Sequence, residues 1–301
     1  MQNPHSPVRI RSSPPEFPLN LPPKGGKIAP VCTSTAELAE VTAVRSQILH
    51  GGIIVKVVVI FPARNEAKTI AKCIEVAKQS KFKPEILVID GYSMDKTKEA
   101  AESVGATVIK QSTGVFPAKG RAIKDGIKAA IKKQADIIVF LDADIVNLTP
   151  EWVDLLVEPV ITPVAKKKCD MARGYYRRAE YDGAVTKLVA KPLAGVFFPE
   201  IALFNQPLSG EICATSELFQ TIITSSDCPD GWGIDIWLLI ETAIRDYKIK
   251  EVYMGSKIHT SRQDYFQDVI KLAKMAEEVS LTIFKEATKY KRIDNIYRCN
   301  L

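Results

Sequence analysis

The sequence contains no uninterrupted apolar run of roughly 18 residues, the length that a membrane-spanning helix needs, so we expect no membrane span. Its six cysteines are scattered without a CxxC pair, which argues against a zinc knuckle and favours reduced thiols in a cytoplasmic protein. The motifs GxSxG and GxxxxGK(S/T) are also missing, which excludes the common serine hydrolase and P-loop signatures. Prolines stand where a signal peptide would have its apolar segment. These absences favour an ordinary globular protein of the cytoplasm.

A concentration of positive charge is missing as well. The 301 residues carry 41 basic and 35 acidic side chains, and the net charge of +6 is spread thinly along the chain. Nucleic-acid-binding proteins usually concentrate lysine and arginine on one stripe, so we expect no nucleic-acid partner. Hydrophobic residues make up 46% and charged residues 25%, which is the composition of a folded chain with a sizeable core.

Changes in composition along the chain predict five segments. The first 30 residues hold eight prolines and show no periodicity, which is typical of a flexible arm. Thr33 or Ser34 is a suitable N-cap for a short helix that ends before two glycines. The predicted segments are a flexible arm at 1–32, a helix at 33–52, two halves at 53–165 and 166–262, and a helical segment at 263–301.

Strand and helix patterns alternate in the first half. Apolar β-branched runs predict strands at 53–61, 86–90, 107–110 and 137–141, and helical spacing predicts helices at 66–80, 96–104 and 119–134. This alternation indicates an α/β fold with a Rossmann-like, mostly parallel sheet covered on both faces. Ligands bind beyond the carboxyl ends of such strands, so we expect the loops 62–66, 90–95 and 142–144 on one rim.

The second half has a looser pattern, which predicts a smaller α+β region. Amphipathic spacing indicates helices at 235–246 and 264–289, and a short apolar run indicates a strand at 252–254. The apolar segment 185–204 is broken by lysines and prolines. We expect it to form a kinked helix that lines a cleft.

Two carboxylates follow the fourth predicted strand, in the sequence Asp142-Ala143-Asp144. They can converge where the strand gives way to a loop, and two buried carboxylates repel each other unless a cation neutralises them. Mg²⁺ commonly binds one or two carboxylates together with substrate phosphates. A solvated turn or a helix cap is the alternative, but the position after an α/β strand favours a metal site.

Further candidate residues fall on the same rim. The stretch Pro62-Ala63-Arg64-Asn65-Glu66 opens a helix and can present backbone N–H groups to a ligand, although its asparagine can equally be an N-cap. Asp90 and Gly91 close the second strand, where a plain turn is the alternative. Lys119 begins a helix, where it can reach a phosphate or stay solvated. His259 follows a predicted strand and can reach the carboxylates, although a lone histidine is more often structural.

Together these motifs resemble the nucleotide-sugar domain of GT-A glycosyltransferases. Motifs in the second half are similar to the glucosyl-3-phosphoglycerate synthase family and the related mannosyl-3-phosphoglycerate synthases, which are related to family 2 glycosyltransferases. These motifs are Tyr176-Arg177-Arg178, Gly183 to Leu193, Gln206-Pro207-Leu208-x-Gly210-Glu211 and Gly231-x-Gly233-x-Asp235. The resemblance covers about residues 53–270. It implies a GT-A fold, a homodimer, and a retaining transfer of a hexose from a nucleotide sugar of the UDP-glucose or GDP-mannose type to a small acceptor such as 3-phosphoglycerate.

The resemblance also implies roles for individual residues. Those implied for catalysis are Glu211, Asp235 and Asp144, and those implied for Mg²⁺ or Mn²⁺ are Asp142, Asp144 and His259. Those implied for the nucleotide sugar are Pro62, Ala63, Arg64, Asn65, Glu66, Asp90, Gly91, Lys119, Asp142 and Ala143. Those implied for the acceptor are Gly183, Ala184, Thr186, Lys257, Ser261 and Arg178.

Three positions depart from the family pattern and leave the acceptor open. Ala184 stands where the family has an arginine that binds the acceptor phosphate, and Lys257 and Ser261 replace an arginine and an asparagine. Arginine holds a phosphate through two hydrogen bonds, which alanine cannot do. The acceptor can therefore be 3-phosphoglycerate, or another small polyol or its phosphate. A lipid phosphate is a further alternative, which only the apolar segment 185–204 supports. A sugar nucleotidyltransferase and a catalytically silent nucleotide-binding protein are the alternatives from other classes.

Overall fold

The structure is a computed structural model that describes residues 55–112, 118–162, 169–177, 183–260 and 265–293. The predicted arm at 1–32 and helix at 33–52 lie outside these residues, so both stay predictions. No helix in the described ranges combines the length and the apolar character that crossing a membrane requires.

The first half alternates strands and helices as its sequence predicts. Its elements are β1 (Val57–Ala63), α1 (Ile70–Lys78), β2 (Glu85–Asp90), α2 (Thr97–Ser103), β3 (Thr107–Lys110), α3 (Lys119–Lys132), β4 (Ile137–Phe140) and α4 (Pro150–Ile161). The helix expected at 66–80 begins only at Ile70. Asn65 has a positive φ of 59°, and the residues that follow it form a turn before the helix.

The second half adds three strands and four helices to the described part of the chain. They are β5 (Met171–Arg177), α5 (Lys191–Phe197), β6 (Ile212–Thr215), α6 (Ser216–Ile223), α7 (Ile234–Ile244), β7 (Ile249–Ser256) and α8 (Tyr265–Lys289). A π-helical turn at Thr186–Ala190 precedes α5, and a 3₁₀ turn at Pro199–Ile201 follows it. The segment 185–204 is therefore kinked, as its prolines predict.

The seven strands form one sheet in the order β3-β2-β1-β4-β6-β5-β7. All neighbours are parallel except β6, which runs antiparallel to both β4 and β5. The sheet is thus mostly parallel, which confirms the predicted fold class. Because β1, β2 and β4 are parallel neighbours, the loops that follow them meet at one edge.

Alternation along β1 divides the core between the two faces of the sheet. Val57, Val59 and Phe61 pack with α1 and α4 on one face, and Val58 and Ile60 pack with α3 and α6 on the other. Apolar residues on both sides of a strand are typical of a parallel sheet that helices cover on both faces. This packing fixes the carboxyl ends of the central strands.

A third apolar cluster joins α5, α7 and α8. Ala194 and Phe197 of α5 pack with Ile236 of α7 and with Val279 and Ile283 of α8. The prediction that segment 185–204 lines a cleft is not met at the cavity described below, because its buried side chains face this cluster instead.

Candidate active site

A cavity of about 400 Å³ opens at the carboxyl ends of β1, β2 and β4. Its walls contain twelve of the predicted site residues, namely Pro62, Ala63, Arg64, Glu66, Gly91, Lys119, Asp142, Ala143, Asp144, Asp235, Lys257 and His259. The fold therefore brings together residues that lie far apart in the sequence. It does so at the edge where an α/β sheet is expected to bind a ligand.

Asp142 is held by two lysine side chains. Its Oδ2 atom lies 2.6 Å from Nζ of Lys257, and its Oδ1 atom lies 3.5 Å from Nζ of Lys119. Burial would raise the pKa of the Asp142 carboxyl, but the two ammonium groups outweigh it and hold that pKa well below its usual range. Asp142 is therefore a carboxylate in the ligand-free site.

Lys119 also binds Asp235, the residue at the start of α7. The Lys119 Nζ atom donates to Asp235 Oδ2 over 2.8 Å, and Asp235 is only 2% exposed. Burial raises the pKa of the Asp235 carboxyl, although the ammonium of Lys119 opposes this effect. The second oxygen, Oδ1, is buried and has no hydrogen-bond partner among the described residues.

Lys257 connects Asp142 to Glu211. Its ammonium lies 2.6 Å from Glu211 Oε1 and 5.1 Å from the centre of the Tyr176 ring. The other oxygen of Glu211 accepts a hydrogen bond of 3.1 Å from Ser209. Carboxylates from the loop after β4 and from the start of β6 thus share one buried cation.

Arg173, which the sequence reasoning missed, completes this charged group. It is fully buried in β5, and its Nη2 atom donates to the backbone oxygens of Pro207, Ser209 and Asp235 over 3.0–3.2 Å. A charged residue between apolar strand positions was the only signal in the sequence. The buried group therefore contains as many basic side chains as acidic ones, so that its formal charges cancel. The basic side chains are Lys119, Lys257 and Arg173, and the acidic ones are Asp142, Glu211 and Asp235.

Asp144 and His259 face each other beside this group. Val146 N donates to Ile258 O over 2.8 Å, and Thr260 N donates to Asp144 O over 3.0 Å, so a short antiparallel bridge joins the two segments. The bridge places His259 Nδ1 3.6 Å from Asp144 Oδ2. A carboxylate and an imidazole that meet in this way can hold a divalent metal ion.

The third predicted ligand, Asp142, is directed towards the lysines instead. Among the described residues, the cluster in which three histidine, cysteine or acidic ligand atoms all lie within 4.8 Å of one another is Asp227, Glu241 and Glu286. The metal-binding role of Asp142 therefore stays a prediction, whereas Asp144 and His259 are already adjacent.

That other cluster lies away from the cavity and contains its own cation. Lys289 Nζ lies 2.6 Å from Asp227, 2.8 Å from Glu241 and 3.4 Å from Glu286. Burial, with the neighbouring Glu241, raises the pKa of Glu286 to about 8. These contacts fasten α8 to α7, and the lysine occupies the place that an ion would need.

The β1 loop forms the opposite wall of the cavity. Burial, reinforced by the charge of Asp144, raises the pKa of Glu66 to about 7. Asn65 and Asp90, both predicted to bind the nucleotide, do not line the cavity. The Asn65 N–H donates to Ser93 Oγ over 2.9 Å, and the Asp90 carboxylate accepts from the Ser93 N–H. These two residues join the loops after β1 and β2.

The residues predicted for the acceptor are less completely placed. Gly183, Ala184 and Thr186 lie at the start of the π-helical turn and do not line the cavity, and Thr186 is buried. Arg178 and Ser261 lie outside the described residues. Their roles stay predictions, as does that of Lys257, whose ammonium binds two carboxylates.

One wall of the cavity comes from α8 and was not predicted from the sequence. Lys271, Leu272 and Met275 of α8 line the cavity with Trp232. The available signal was the tryptophan between two glycines, since glycines permit close approach of another element. Leu208 and Gln111 are further lining residues that it did not select.

Comparison with known proteins agrees with this geometry. The family model of glycosyl transferase family 2 matches residues 58–185. The glucosyl-3-phosphoglycerate synthase of Mycolicibacterium smegmatis is 32% identical over 246 residues, which cover 75% of this chain and 75% of that protein. The crystal structure of the Mycobacterium tuberculosis synthase with Mg²⁺ and uridine diphosphate is 29% identical, with a TM-score of 0.67 and 83% of each chain covered.

A second crystal structure of the Mycobacterium tuberculosis enzyme contains Mn²⁺, UDP-glucose and phosphoglyceric acid. It is 30% identical, has a TM-score of 0.67, and again covers 83% of both chains. The chain is therefore a glycosyltransferase that contains a glycosyl transferase family 2 domain and belongs to the glucosyl-3-phosphoglycerate synthase family.

Proposed function

We propose that the protein transfers glucose from UDP-glucose to 3-phosphoglycerate with Mg²⁺ or Mn²⁺ bound by Asp144 and His259. One observation carries the proposal: His259 Nδ1 lies 3.6 Å from Asp144 Oδ2. Both residues line the cavity that Lys119, Asp142 and Asp235 also line. Relatives that bind UDP-glucose and phosphoglyceric acid have the same fold.

The side chains present fit a hard divalent cation. Asp144 supplies a carboxylate oxygen, which suits Mg²⁺ and Mn²⁺, and His259 supplies a nitrogen ligand beside it. Asp142 is engaged by two lysines, which leaves Asp144 as the acidic group nearest to the histidine. A bound ion would neutralise the charge that develops on the departing nucleoside diphosphate.

The protein itself would bind and orient the donor. Lys119 is placed to donate to a donor phosphate, and doing so would release its hydrogen bond to Asp235. The Asp235 carboxylate, with its unused Oδ1 atom, would then accept hydrogen bonds from sugar hydroxyls. Fixed donors and acceptors of this kind lower the barrier because they need no reorganisation during the reaction.

Proton transfer does not require a separate base in this proposal. In a retaining transfer, the acceptor hydroxyl approaches C1 on the face that the diphosphate leaves, and a phosphate oxygen takes its proton. The carboxylates of Asp142, Glu211 and Asp235 bind lysines in the ligand-free site. They act by holding the donor and by keeping the buried charge balanced.

The acceptor is assigned to phosphoglycerate by similarity to the relatives, and Ala184 makes this the part that most needs a test. A crystal structure of the Mycobacterium tuberculosis enzyme also contains UDP-glucose and glycerol 3-phosphate, which lacks the carboxylate of phosphoglycerate. Comparing these two acceptors shows whether this chain recognises the phosphate, the carboxylate or both.

The test is a product assay with purified protein. Mn²⁺ or Mg²⁺ is combined with UDP-glucose or GDP-mannose, and with 3-phosphoglycerate, glycerol 3-phosphate or glycerol. We expect a glucosylated product from UDP-glucose and 3-phosphoglycerate, and none in the presence of a chelator. His259→Ala should raise the metal concentration needed for half-maximal rate. Transfer from GDP-mannose alone, or to glycerol alone, would contradict the donor or the acceptor assignment.

A further inference from the structure

Lys271 differs from the other lysines that line the cavity. Lys119 and Lys257 bind carboxylates at distances of 2.6–2.8 Å, so their charges are already neutralised. Lys271, on the exposed side of α8, forms no ion pair with any residue in the described ranges. The contact that the structure gives its ammonium is the Trp232 ring, whose centre is 5.8 Å away. Its positive charge therefore lines the cavity with no carboxylate of the described residues at ion-pair distance.

The position of Trp232 is fixed by close packing against α8. A Cβ atom on Gly231 would overlap the Glu278 carboxylate, and one on Gly233 would overlap the Thr282 side chain. The backbone N–H of Trp232 donates a hydrogen bond of 2.6 Å to Glu278 Oε2. Lys271 lies seven residues before Glu278, two helical turns along the same face of α8. The tryptophan and the lysine are thus held together at the cavity wall.

Lys271 lines the same cavity as Lys119 and as Arg64 and Glu66 of the β1 loop. Its positive charge opposes the rise in the pKa of Glu66, and Glu66 lines the cavity together with Asp144 and His259. An anion bound beside Asp144 and His259 would therefore meet an unneutralised ammonium on the α8 side. In the proposed donor, the anion in that place is the diphosphate.

We propose that Lys271 is a further donor-binding residue, whose ammonium binds the diphosphate of the nucleotide sugar from the α8 side while Trp232 holds it over the cavity. This inference rests on the proposed function, because it takes a nucleoside diphosphate as the leaving group. Lys271 supplies a positive charge that forms no ion pair with a carboxylate of the described residues. It therefore stabilises the diphosphate most when the sugar has left and the negative charge has increased.

The test compares binding of UDP and uridine, measured by ligand-observed NMR titration with Mn²⁺ replaced by Mg²⁺. We expect Lys271→Met to weaken UDP about tenfold and to leave uridine within about twofold, because a charge-assisted contact to phosphate is worth roughly one factor of ten. Lys271→Arg should keep most of the affinity. Lys285→Met is the matched control, since Lys285 is exposed on the same helix and does not line the cavity.

The possible failures are distinguishable. If the wild-type protein binds UDP and Lys271→Met binds it equally well, Lys271 has no role in donor binding and the proposed function is unaffected. Equal losses for UDP and uridine would mean that the variant displaces α8, and this would overturn the assignment to the diphosphate. Failure of the wild-type protein to bind UDP at all would overturn the proposed function together with this inference.

Discussion

Replacing Lys257 by methionine removes the cation shared by Asp142 and Glu211. The ammonium lies 2.6 Å from an oxygen of each carboxylate, and the Lys257 side chain is only 3% exposed. Methionine fills a similar volume but carries no charge. The buried group of three cations and three carboxylates would then hold one unbalanced negative charge.

The expected loss of stability in Lys257→Met comes from a carboxylate that stays buried without its cationic partner. Breaking a buried ion pair from one side costs about 3–5 kcal/mol of unfolding free energy. For a folded unit of this size each kcal/mol shifts Tm by about 2–4 °C, so we expect Lys257→Met to lower Tm by about 6–20 °C. Activity should also fall, because Asp142 and Glu211 would lose their fixed positions.

The pH dependence of Tm provides a second test of the destabilisation expected for Lys257→Met. In the wild-type protein the lysines hold the pKa of Asp142 below its unfolded value, so this stabilisation is present above about pH 4 and is lost as the pH falls further. Without Lys257, burial favours the protonated acid. The difference in Tm between Lys257→Met and wild type should therefore be largest near pH 8 and smaller near pH 4.

Thermal unfolding measured by circular dichroism from pH 4 to 8 tests both expectations. Lys274→Met is the control, because Lys274 is exposed and solvent screens its pair with Glu277, so we expect little change in Tm. A Tm for Lys257→Met within about 2 °C of wild type at neutral pH would refute the reasoning. A difference that grows towards pH 4 would refute it as well.

Three further variants test separate parts of the site. Gly210→Ala should lower kcat/KM about a hundredfold, because a Cβ atom there would overlap Oδ1 of Asp142 and lie 2.9 Å from its Cγ. The control is Gly195→Ala, which should change kcat/KM little in the same assay because open space surrounds that position. Asp144→Ala should abolish metal-dependent turnover, and full activity in a metal titration would exclude it as a ligand. In chelator, Glu66→Gln should gain Tm relative to wild type as the pH rises from 4.5 to 7, because a pKa raised to about 7 makes the wild-type protein lose stability over that range; parallel Tm curves would contradict this.

The first half of the fold could be predicted because buried parallel strands have a distinctive sequence. Val57–Ala63 and Ile137–Phe140 are continuous runs that pack on both faces of the sheet. The start of α1 could not be predicted in the same way. The N–H of Glu66 donates to Thr97 Oγ1, and that of Ala67 donates to Asp95, so residues about 30 positions away determine the turn before Ile70.

The candidate site was predictable where function requires a particular residue next to a strand end. Asp142 and Asp144 follow this rule after β4, and both line the cavity. The neutral charged group was not predictable, because Lys257 meets Asp142 across 115 positions and Arg173 lies inside a strand. The placement of β6 between β4 and β5, with β7 beside β5, brings these residues together. Long-range pairing of this kind leaves no local pattern.

The central claim is that this cavity transfers glucose to phosphoglycerate through a metal bound at Asp144 and His259. The most direct test is an NMR assay with UDP-glucose labelled with ¹³C at C1, 3-phosphoglycerate and Mn²⁺, followed by removal of the metal before the spectrum. The account predicts one new α-linked glucosyl signal from wild-type protein and none from Asp144→Ala. Free glucose as the sole labelled product, or an equal product signal from Asp144→Ala, would contradict it.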